Sequence, residues 1–290
     1  MQASILTDLL LPLSIGIIMF GLGLSLTMDD FRRVARYPLA VGFGLLLQVV
    51  LLPFAALLIA IAMKLSPNHA LGLMLVAAAP GGATANIYSH LAKGDVALNI
   101  TLTAVNSLLA LITLPIVINL SLEYFFGAGQ YVPPPHRKIV EVAAIILVPV
   151  LIGMLVRSRW PDFAKRMEKP IKLFSIIVLA ILIFAAIYIE RGKLLDSIVA
   201  VGLACLLFNV VSMVSGYLAP LALKLPERQA IAITMEIGIH NTALAIYVAL
   251  NVLNNPAASL VPGIYTLAMY LTATLFAIYV SRRKIAPAAS

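Results

Sequence analysis

At Ala79-Pro80-Gly81-Gly82-Ala83-Thr84-Ala85-Asn86, helix-breaking residues interrupt an otherwise apolar segment that is long enough to cross a membrane. Proline lacks a backbone donor and clashes with the preceding turn, and glycines leave helical dihedrals at little steric cost. Hydrocarbon cannot satisfy the freed backbone groups, so such breaks are tolerated only inside a protein or beside a water-filled cavity. The segment therefore predicts two half-helices that meet at mid-membrane.

A second apolar segment is interrupted at Glu236-Ile237-Gly238-Ile239-His240-Asn241-Thr242. A carboxylate at the bilayer centre costs roughly 2.5–3.5 kcal/mol on insertion scales, so a buried acid is a candidate functional group. Broken helices at corresponding places in two halves of a chain are typical of the ion and substrate site of a transporter. The two interruptions together predict such a site.

The composition indicates an all-α polytopic membrane protein. The chain has 290 residues, of which 62% are hydrophobic and 11% are charged, whereas an ordinary soluble domain is roughly 45–50% apolar and about 25% charged. The single cysteine, Cys205, excludes a disulfide framework and a multi-cysteine metal centre. The basic residues lie in short loops between apolar segments, so the net charge of +8 indicates orientation in the membrane rather than nucleic-acid binding.

Nine apolar segments are long enough to span the membrane, because about 20 residues cross a hydrocarbon core of ~30 Å. They are residues 9–27, 38–63, 69–92, 96–124, 138–157, 170–190, 196–223, 229–252 and 259–281. Most of the 20 Lys and Arg residues then lie on one side. This asymmetry predicts an outside N-terminus and a cytoplasmic C-terminus in the inner (plasma) membrane of the cell.

The chain also contains a weak internal repeat. Gln48-Val49-Val50 resembles Asn209-Val210-Val211, and a broken segment follows each. By the predicted orientation the two copies have opposite topology, as inverted repeats do. We therefore predict a first repeat over residues 1–125 with four spans and a second over 126–290 with five; chance similarity between Leu- and Val-rich helices is the alternative.

Glu236 is the strongest candidate ligand. It could reach water near the interface, be protonated and hydrogen-bonded, or bind a cation, and hard cations such as sodium prefer oxygen ligands. Neutral oxygens that could join it belong to Gln48, Asn86, Thr103, Asn241 and Thr242. Asn99, Thr103 and Asn106 have the i, i+4, i+7 spacing of one helix face. This polar stripe predicts either helix–helix contacts or a continuation of the site.

His240 follows Glu236 by four residues and can share its helix face. It could make one buried hydrogen bond, relay protons, or form a zinc pair with Glu236, for which no third ligand is evident. An intramembrane enzyme with this pair as acid and base would lack a nucleophile or metal cluster. A channel would need a continuous polar pore, for which the spans offer too few polar residues.

The chain resembles the bile acid:sodium symporter family over nearly its whole length. The motifs that carry the resemblance are Gly16–Leu26, Gln48 with Pro53, Ala79–Asn86, Lys93–Leu98 and Glu236–Asn241. The resemblance implies ten spans in two inverted five-helix repeats, with a panel packed against a core where two discontinuous helices cross. This chain then lacks the first span. The core comprises 69–124 and 196–281 with 38–63, and the panel comprises 9–27, 138–157 and 170–190.

The resemblance also implies two sodium sites. The first comprises Asn86, Asn99, Thr103 and Glu236; the second comprises Gln48, Glu236, the backbone oxygens of Ile237 and Ile239, and the side chain at 240. The family usually has Gln where this chain has His240, and neutral imidazole is a poorer sodium ligand than an amide oxygen. The second site is therefore weak, empty, or replaced by proton coupling.

The sequence thus predicts a sodium-coupled symporter of an organic anion, either a small carboxylate or a bile-acid-like molecule, which works by alternating access. The substrate is expected near Ala83, Thr84, Asn241 and Thr242. We expect a monomer in the lipid bilayer, with no enzymatic activity and no nucleic-acid partner. A proton-coupled or uncoupled organic anion carrier, in which His240 alters the second sodium site, is the alternative.

Overall fold

The computed structural model describes residues 11–127, 136–189 and 194–283, and these residues are helical almost throughout. In chain order the helices are α1 Leu11–Ser25, α2 Met28–Arg32, α3 Pro38–Ala62, α4 Pro67–Ala78, α5 Ala85–Leu91, α6 Val96–Phe126, α7 His136–Arg159, α8 Pro161–Ile189, α9 Leu194–Ala222, α10 Glu227–Gly238, α11 Thr242–Val252 and α12 Pro256–Ser281. A 3-10 turn over Arg33–Ala35 follows α2, and π-turns lie within α3 at Leu47–Leu51 and within α11 at Val248–Val252.

Each of the nine predicted segments coincides with one helix or with one broken pair. The third segment is the pair α4 and α5, and the eighth is the pair α10 and α11. The sixth predicted segment corresponds to α8, which begins at Pro161 rather than at 170, because its charged first turns are helical although they are too polar for hydrocarbon. The outer ends of the first and sixth predicted spans, residues 9–10 and 190, lie outside the described residues.

Several helices are long and apolar enough to cross a membrane by length and composition. Within the described residues these are Pro38–Ala62, Val96–Phe126, Val201–Ala222 and Pro256–Ser281. Pro12–Ser25 and Met28–Ala35 also pass this test together, although they are bent by 70° at a short break. The protein is therefore a multi-pass membrane protein, and the count of nine spans stays a prediction.

Helices α1, α7 and α8 pack against one another. A Cβ atom on Gly23 of α1 would overlap the backbone of α7, and one on Gly153 of α7 would overlap the backbone of α1. Such close approach through small residues is typical of membrane helices. Leu24 of α1 also packs on Ile171 of α8. These contacts support the predicted grouping of the three helices as a panel.

The two halves of the chain share unusual helix endings. Lys64 after α3 and Lys224 after α9 both have left-handed backbone conformations, with φ of 50° and 60°. In both cases the next residue donates its N–H to the carbonyl five residues earlier, as in a Schellman motif. Lys93 and Asn254, which follow the second half-helices, are also left-handed. This agreement supports the proposed repeats.

Two contacts between the two halves of the chain are reciprocal. Asn255 donates from Nδ2 to Oδ1 of Asn68 at 2.8 Å, and Asp95 donates its N–H to the carbonyl of Arg228 at 2.9 Å. Asn68 and Arg228 lie in the first turns of the two first half-helices, and Asp95 and Asn255 cap the helices that follow the two second half-helices. A two-fold axis relates contacts in this way. We therefore propose that residues 1–125 and 126–290 are the two repeats.

Candidate functional site

The two broken helices cross each other at their breaks. Helix α4 ends at Ala78 and α10 ends at Gly238, and the chain is extended beyond each end. Gly82 donates its N–H to the carbonyl of Ile239 at 2.7 Å, and Asn241 donates its N–H to the carbonyl of Pro80 at 2.8 Å. Each break therefore satisfies backbone groups of the other, which hydrocarbon could not do.

A buried amide from the preceding span stabilises each break. Gln48, in the π-turn of α3, donates from Nε2 to the carbonyl of Ala79 at 3.0 Å. Asn209 of α9 donates from Nδ2 to the carbonyl of Gly238 at 2.7 Å. The carbonyls at a helix C-terminus lack intrahelical partners, so these two amides satisfy groups that the breaks expose.

The carboxylate of Glu236 lies directly against the first break. The side chain is 1% exposed, and its Oε2 accepts a hydrogen bond from Thr103 Oγ1 at 2.5 Å. Asn106 and the backbone of Gly81 lie beside it. A Cβ atom on Gly81 would overlap the carboxylate oxygens, so only glycine permits this approach. The structure thus holds an acidic group inside the crossing.

Four of the side-chain oxygens predicted to bind sodium are buried and accept no hydrogen bond within the described residues. They are Gln48 Oε1, Asn86 Oδ1, Asn99 Oδ1 and Glu236 Oε1. The amide of Asn99 is oriented by its donation from Nδ2 to the carbonyl of Ala232 at 2.8 Å. Buried polar atoms nearly always have a partner, and a set made only of oxygen acceptors suits a hard cation.

The other predicted ion ligands have different surroundings. The carbonyl of Ile239 already accepts from Gly82, and Ile237 is buried in the last turn of α10. His240 turns its Nδ1 to the hydroxyl of Tyr265 on α12, at 2.9 Å. No hydrogen bond joins His240 to Gln48 or Glu236 in the part of the chain that the structure describes. The second sodium site therefore stays a prediction.

A cavity of about 420 Å³ lies between α1, α8 and the crossing. Its lining includes all four residues predicted to contact substrate, Ala83, Thr84, Asn241 and Thr242, together with Asn86, His240 and Tyr270. Most of the remaining lining residues are apolar, and a mostly apolar cavity with a few convergent polar groups is typical of small-molecule sites.

Three of the predicted substrate residues also make contacts within the protein. Asn241 caps α11, since its Oδ1 accepts from the N–H of Leu244 at 3.1 Å. Thr84 Oγ1 and the Tyr270 hydroxyl are 3.2 Å apart, and Thr266 donates to Thr242 Oγ1 at 2.8 Å. Helix α12 therefore orients two of the hydroxyl groups that line the cavity.

Asn209 and Tyr265 belong to the site although the sequence did not predict a role there for either. In the internal repeat Asn209 is the counterpart of Gln48. This correspondence is the sequence signal that could have indicated a hydrogen bond from Asn209 to the second break. Tyr265 is buried among apolar residues of α12 and donates to the carbonyl of Gly238 at 3.1 Å. As one of 10 tyrosines, it carries no distinguishing sequence signal.

Replacing Asn209 by leucine is expected to destabilise the protein. The change leaves the carbonyl of Gly238 with one bond fewer and removes a donor to Tyr265, and an unsatisfied buried group costs about 1–3 kcal/mol. Thermal unfolding of the purified protein in detergent measures the loss. Ser215→Ala on the same helix is the control, since that hydroxyl bonds to the carbonyl of Ser212 within α9; equal stability of the two variants would contradict the role of Asn209.

Comparison with known proteins identifies the chain's relatives. The family model described as the Sodium Bile acid symporter family matches residues 12–198. The uncharacterized sodium-dependent transporter YocS of Bacillus subtilis is 28% identical over 93% of this chain and 82% of its own length. The probable sodium/metabolite cotransporter BASS2, chloroplastic, of Oryza sativa subsp. japonica is 28% identical over 94% of this chain and 64% of its own. The sodium-dependent organic anion transporter of Homo sapiens is 27% identical over 80% of this chain and 61% of its own.

Proposed function

This chain belongs to the sodium bile acid symporter family and is a transport protein rather than an enzyme, and we propose that it couples the uptake of an organic anion to sodium. The observation that carries the proposal is that Glu236 Oε1 and the side-chain oxygens of three other predicted sodium ligands are buried and lack hydrogen-bond partners within the described residues. A bound cation would both offset the buried charge and satisfy these acceptors.

The first sodium site comprises Glu236, Thr103, Asn99 and Asn86. Thr103 Oγ1 reaches both the carboxylate of Glu236 and the carbonyl of Asn99, at 2.5 and 3.0 Å, so it links two of the ligand residues. Asn86 follows the first break and brings a further free oxygen. A second ion would use Gln48 Oε1 and the free Oε1 of Glu236.

The cargo occupies the cavity in front of the crossing. Asn86 belongs to the cavity lining and is also a proposed sodium ligand. An ion at the first site would therefore fix the position of Asn86 in the lining. A ligand can shift a conformational equilibrium only through different affinities for the two states. Sodium is therefore expected to raise the affinity of the cavity for the anion by ordering the part of the lining that contains Asn86.

The cavity also lies at the boundary between the predicted panel and core. Its lining includes residues of α1 and α8 on one side and of the crossing on the other. Rocking of one group against the other would expose the cavity alternately to the two faces. We propose that the protein does this in the inner membrane as a monomer, with its N-terminus outside and its C-terminus in the cytoplasm.

The test is a thermal-shift screen of organic acids in NaCl and in KCl at equal ionic strength. Binding to the folded state raises apparent stability, so sodium alone is expected to stabilise the protein and a matching anion to add to this effect. Proteoliposomes then measure uptake of that anion with a sodium gradient, with a proton gradient, and with neither. Uptake that follows the proton gradient, or needs no gradient, would favour the alternative carrier mechanism.

A further inference from the structure

The junction between α7 and α8 carries a dense group of basic residues. Over Arg157–Lys172 the sequence has six Lys and Arg residues and two acidic ones. Four of the basic side chains are exposed, and we call them the basic surface: Arg159, Lys165, Arg166 and Lys169. None of the four forms an ion pair with a residue whose side chain the structure describes. The basic surface therefore has a positive charge that ion pairs within the described residues do not offset.

The packing of α8 turns the basic surface away from the rest of the protein. Ala164 and Ile171 are buried against Leu24 of α1, and Met167 packs beside them. Positions 164, 167 and 171 have the i, i+3, i+7 spacing of one helix face. Ile171 also lines the cavity, whereas no residue of the basic surface does. The basic surface thus lies on the side of α8 that faces away from the proposed cargo.

Two large aromatic side chains border the basic surface. Trp160, which joins α7 to α8, is 61% exposed, and Phe163 is 50% exposed. Phe163 precedes Arg166 by three residues, so the two are neighbours on α8. Tryptophan is enriched where a membrane meets water, and basic residues are enriched on the cytoplasmic side. A small soluble anion would leave both rings uncovered, whereas a phospholipid can place its headgroup on the basic residues and its acyl chains against the rings.

We propose that the basic surface binds the headgroup of an anionic phospholipid, and that Trp160 and Phe163 contact the acyl chains of the same molecule. Lys and Arg donate charge-assisted hydrogen bonds to phosphate oxygens. Each basic residue near an anionic bilayer surface contributes about fivefold to the attraction, whereas a zwitterionic headgroup has no net charge to attract. This site is independent of the ion and substrate sites, so it stands whether or not the protein couples uptake to sodium.

Fluorescence quenching tests the proposal directly, because Trp160 is the only tryptophan of the chain. The purified protein is reconstituted in mixed bilayers of phosphatidylglycerol and phosphatidylcholine, in which one lipid or the other carries dibrominated chains that quench a neighbouring indole. At low salt the affinity for phosphatidylglycerol at Trp160 is expected to exceed that for phosphatidylcholine by at least about tenfold. The preference should decrease as salt screens the charges. Equal quenching by the two lipids would overturn the proposal.

A pair of matched variants separates a site from general attraction to a charged leaflet. Lys165→Gln/Lys169→Gln removes two charges from the basic surface, and Arg36→Gln/Arg282→Gln removes two from exposed positions on the same predicted side of the membrane. The first variant should lower the preference for phosphatidylglycerol by at least about fivefold, and the second by less than about twofold. Equal losses in the two variants would mean that no site exists at this junction.

Two further measurements complete the test. In phosphatidylcholine alone both variants should unfold at the wild-type temperature, because the replaced side chains are exposed; phosphatidylglycerol should then stabilise wild type more than Lys165→Gln/Lys169→Gln. Glycerol phosphate, a soluble anion without acyl chains, should not displace brominated phosphatidylglycerol from Trp160. Displacement by glycerol phosphate would make the basic surface a site for free anions and would overturn the assignment to lipid. The quenching of wild type needs no variant, so it decides the proposal even where a substitution impairs folding.

Discussion

Glu236→Gln is expected to abolish the stabilisation of the protein by sodium while leaving the fold intact. Glutamine has the size of glutamate and keeps an oxygen that can accept from Thr103, but it has no charge to hold a cation. A ligand at 100 times its Kd stabilises the folded state by about 2.7 kcal/mol, and this amount should vanish. The measurement is the unfolding temperature in NaCl minus that in KCl.

Glu123→Gln is the matched control for this variant. Glu123 is exposed near the end of α6, so its replacement should leave the sodium response at the wild-type value. In KCl, Glu236→Gln should unfold no earlier than wild type, because the amide fills the same space without a buried charge. A sodium-induced rise in anion affinity that persists in Glu236→Gln would contradict the role assigned to this carboxylate.

Gly81→Ala is expected to eliminate sodium binding as completely as the loss of the carboxylate. The new methyl group would occupy the position of the Glu236 carboxylate oxygens, so the acid must move away from Thr103. Overpacking a filled interior costs about 1–3 kcal/mol, and both the unfolding temperature in KCl and the sodium response should fall. Sodium-driven uptake into proteoliposomes should be lost in parallel.

Gly42→Ala provides a glycine control in a helix that also contributes to the site. A Cβ atom at Gly42 of α3 has no neighbour within 4 Å, and alanine is favoured over glycine in a helix by up to about 1 kcal/mol. This variant should keep the sodium response and be at least as stable as wild type. A normal sodium response in Gly81→Ala would show that the carboxylate is not held against the first break.

The two breaks and the buried acid could be predicted because each violates the chemistry of a membrane helix. Pro80-Gly81-Gly82 cannot continue a helix, and a carboxylate such as that of Glu236 is too costly to leave in lipid. The polar stripe on α6 was predictable from its spacing, and the structure gives it a function: Thr103 binds Glu236 and Asn99 binds the backbone of α10. Local sequence was sufficient to predict the site where the chemistry of a residue is incompatible with a lipid-facing helix.

The partners of these residues could not be predicted, because they depend on how helices are rotated about their axes. The π-turn that contains Gln48 changes the direction of that side chain, and nothing in its Leu- and Val-rich sequence marks the extra residue in the turn. The pairing of His240 with Tyr265 depends likewise on the rotation of α12. Sequence spacing describes one helix at a time, whereas the cavity is formed between helices.

The paired backbone bonds at the crossing have a consequence for how such a protein arises. Gly82 bonds to Ile239 and Asn241 bonds to Pro80. If one break became a continuous helix, main-chain groups of the other break would therefore lose their hydrogen-bond partners in a dry interior. Each break therefore depends on the other for its backbone hydrogen bonds. Under the inverted repeats that we propose, an ancestor with only one half would have needed a second copy of itself in the opposite orientation to form the same bonds, and fusion of the two genes would have made that pairing permanent.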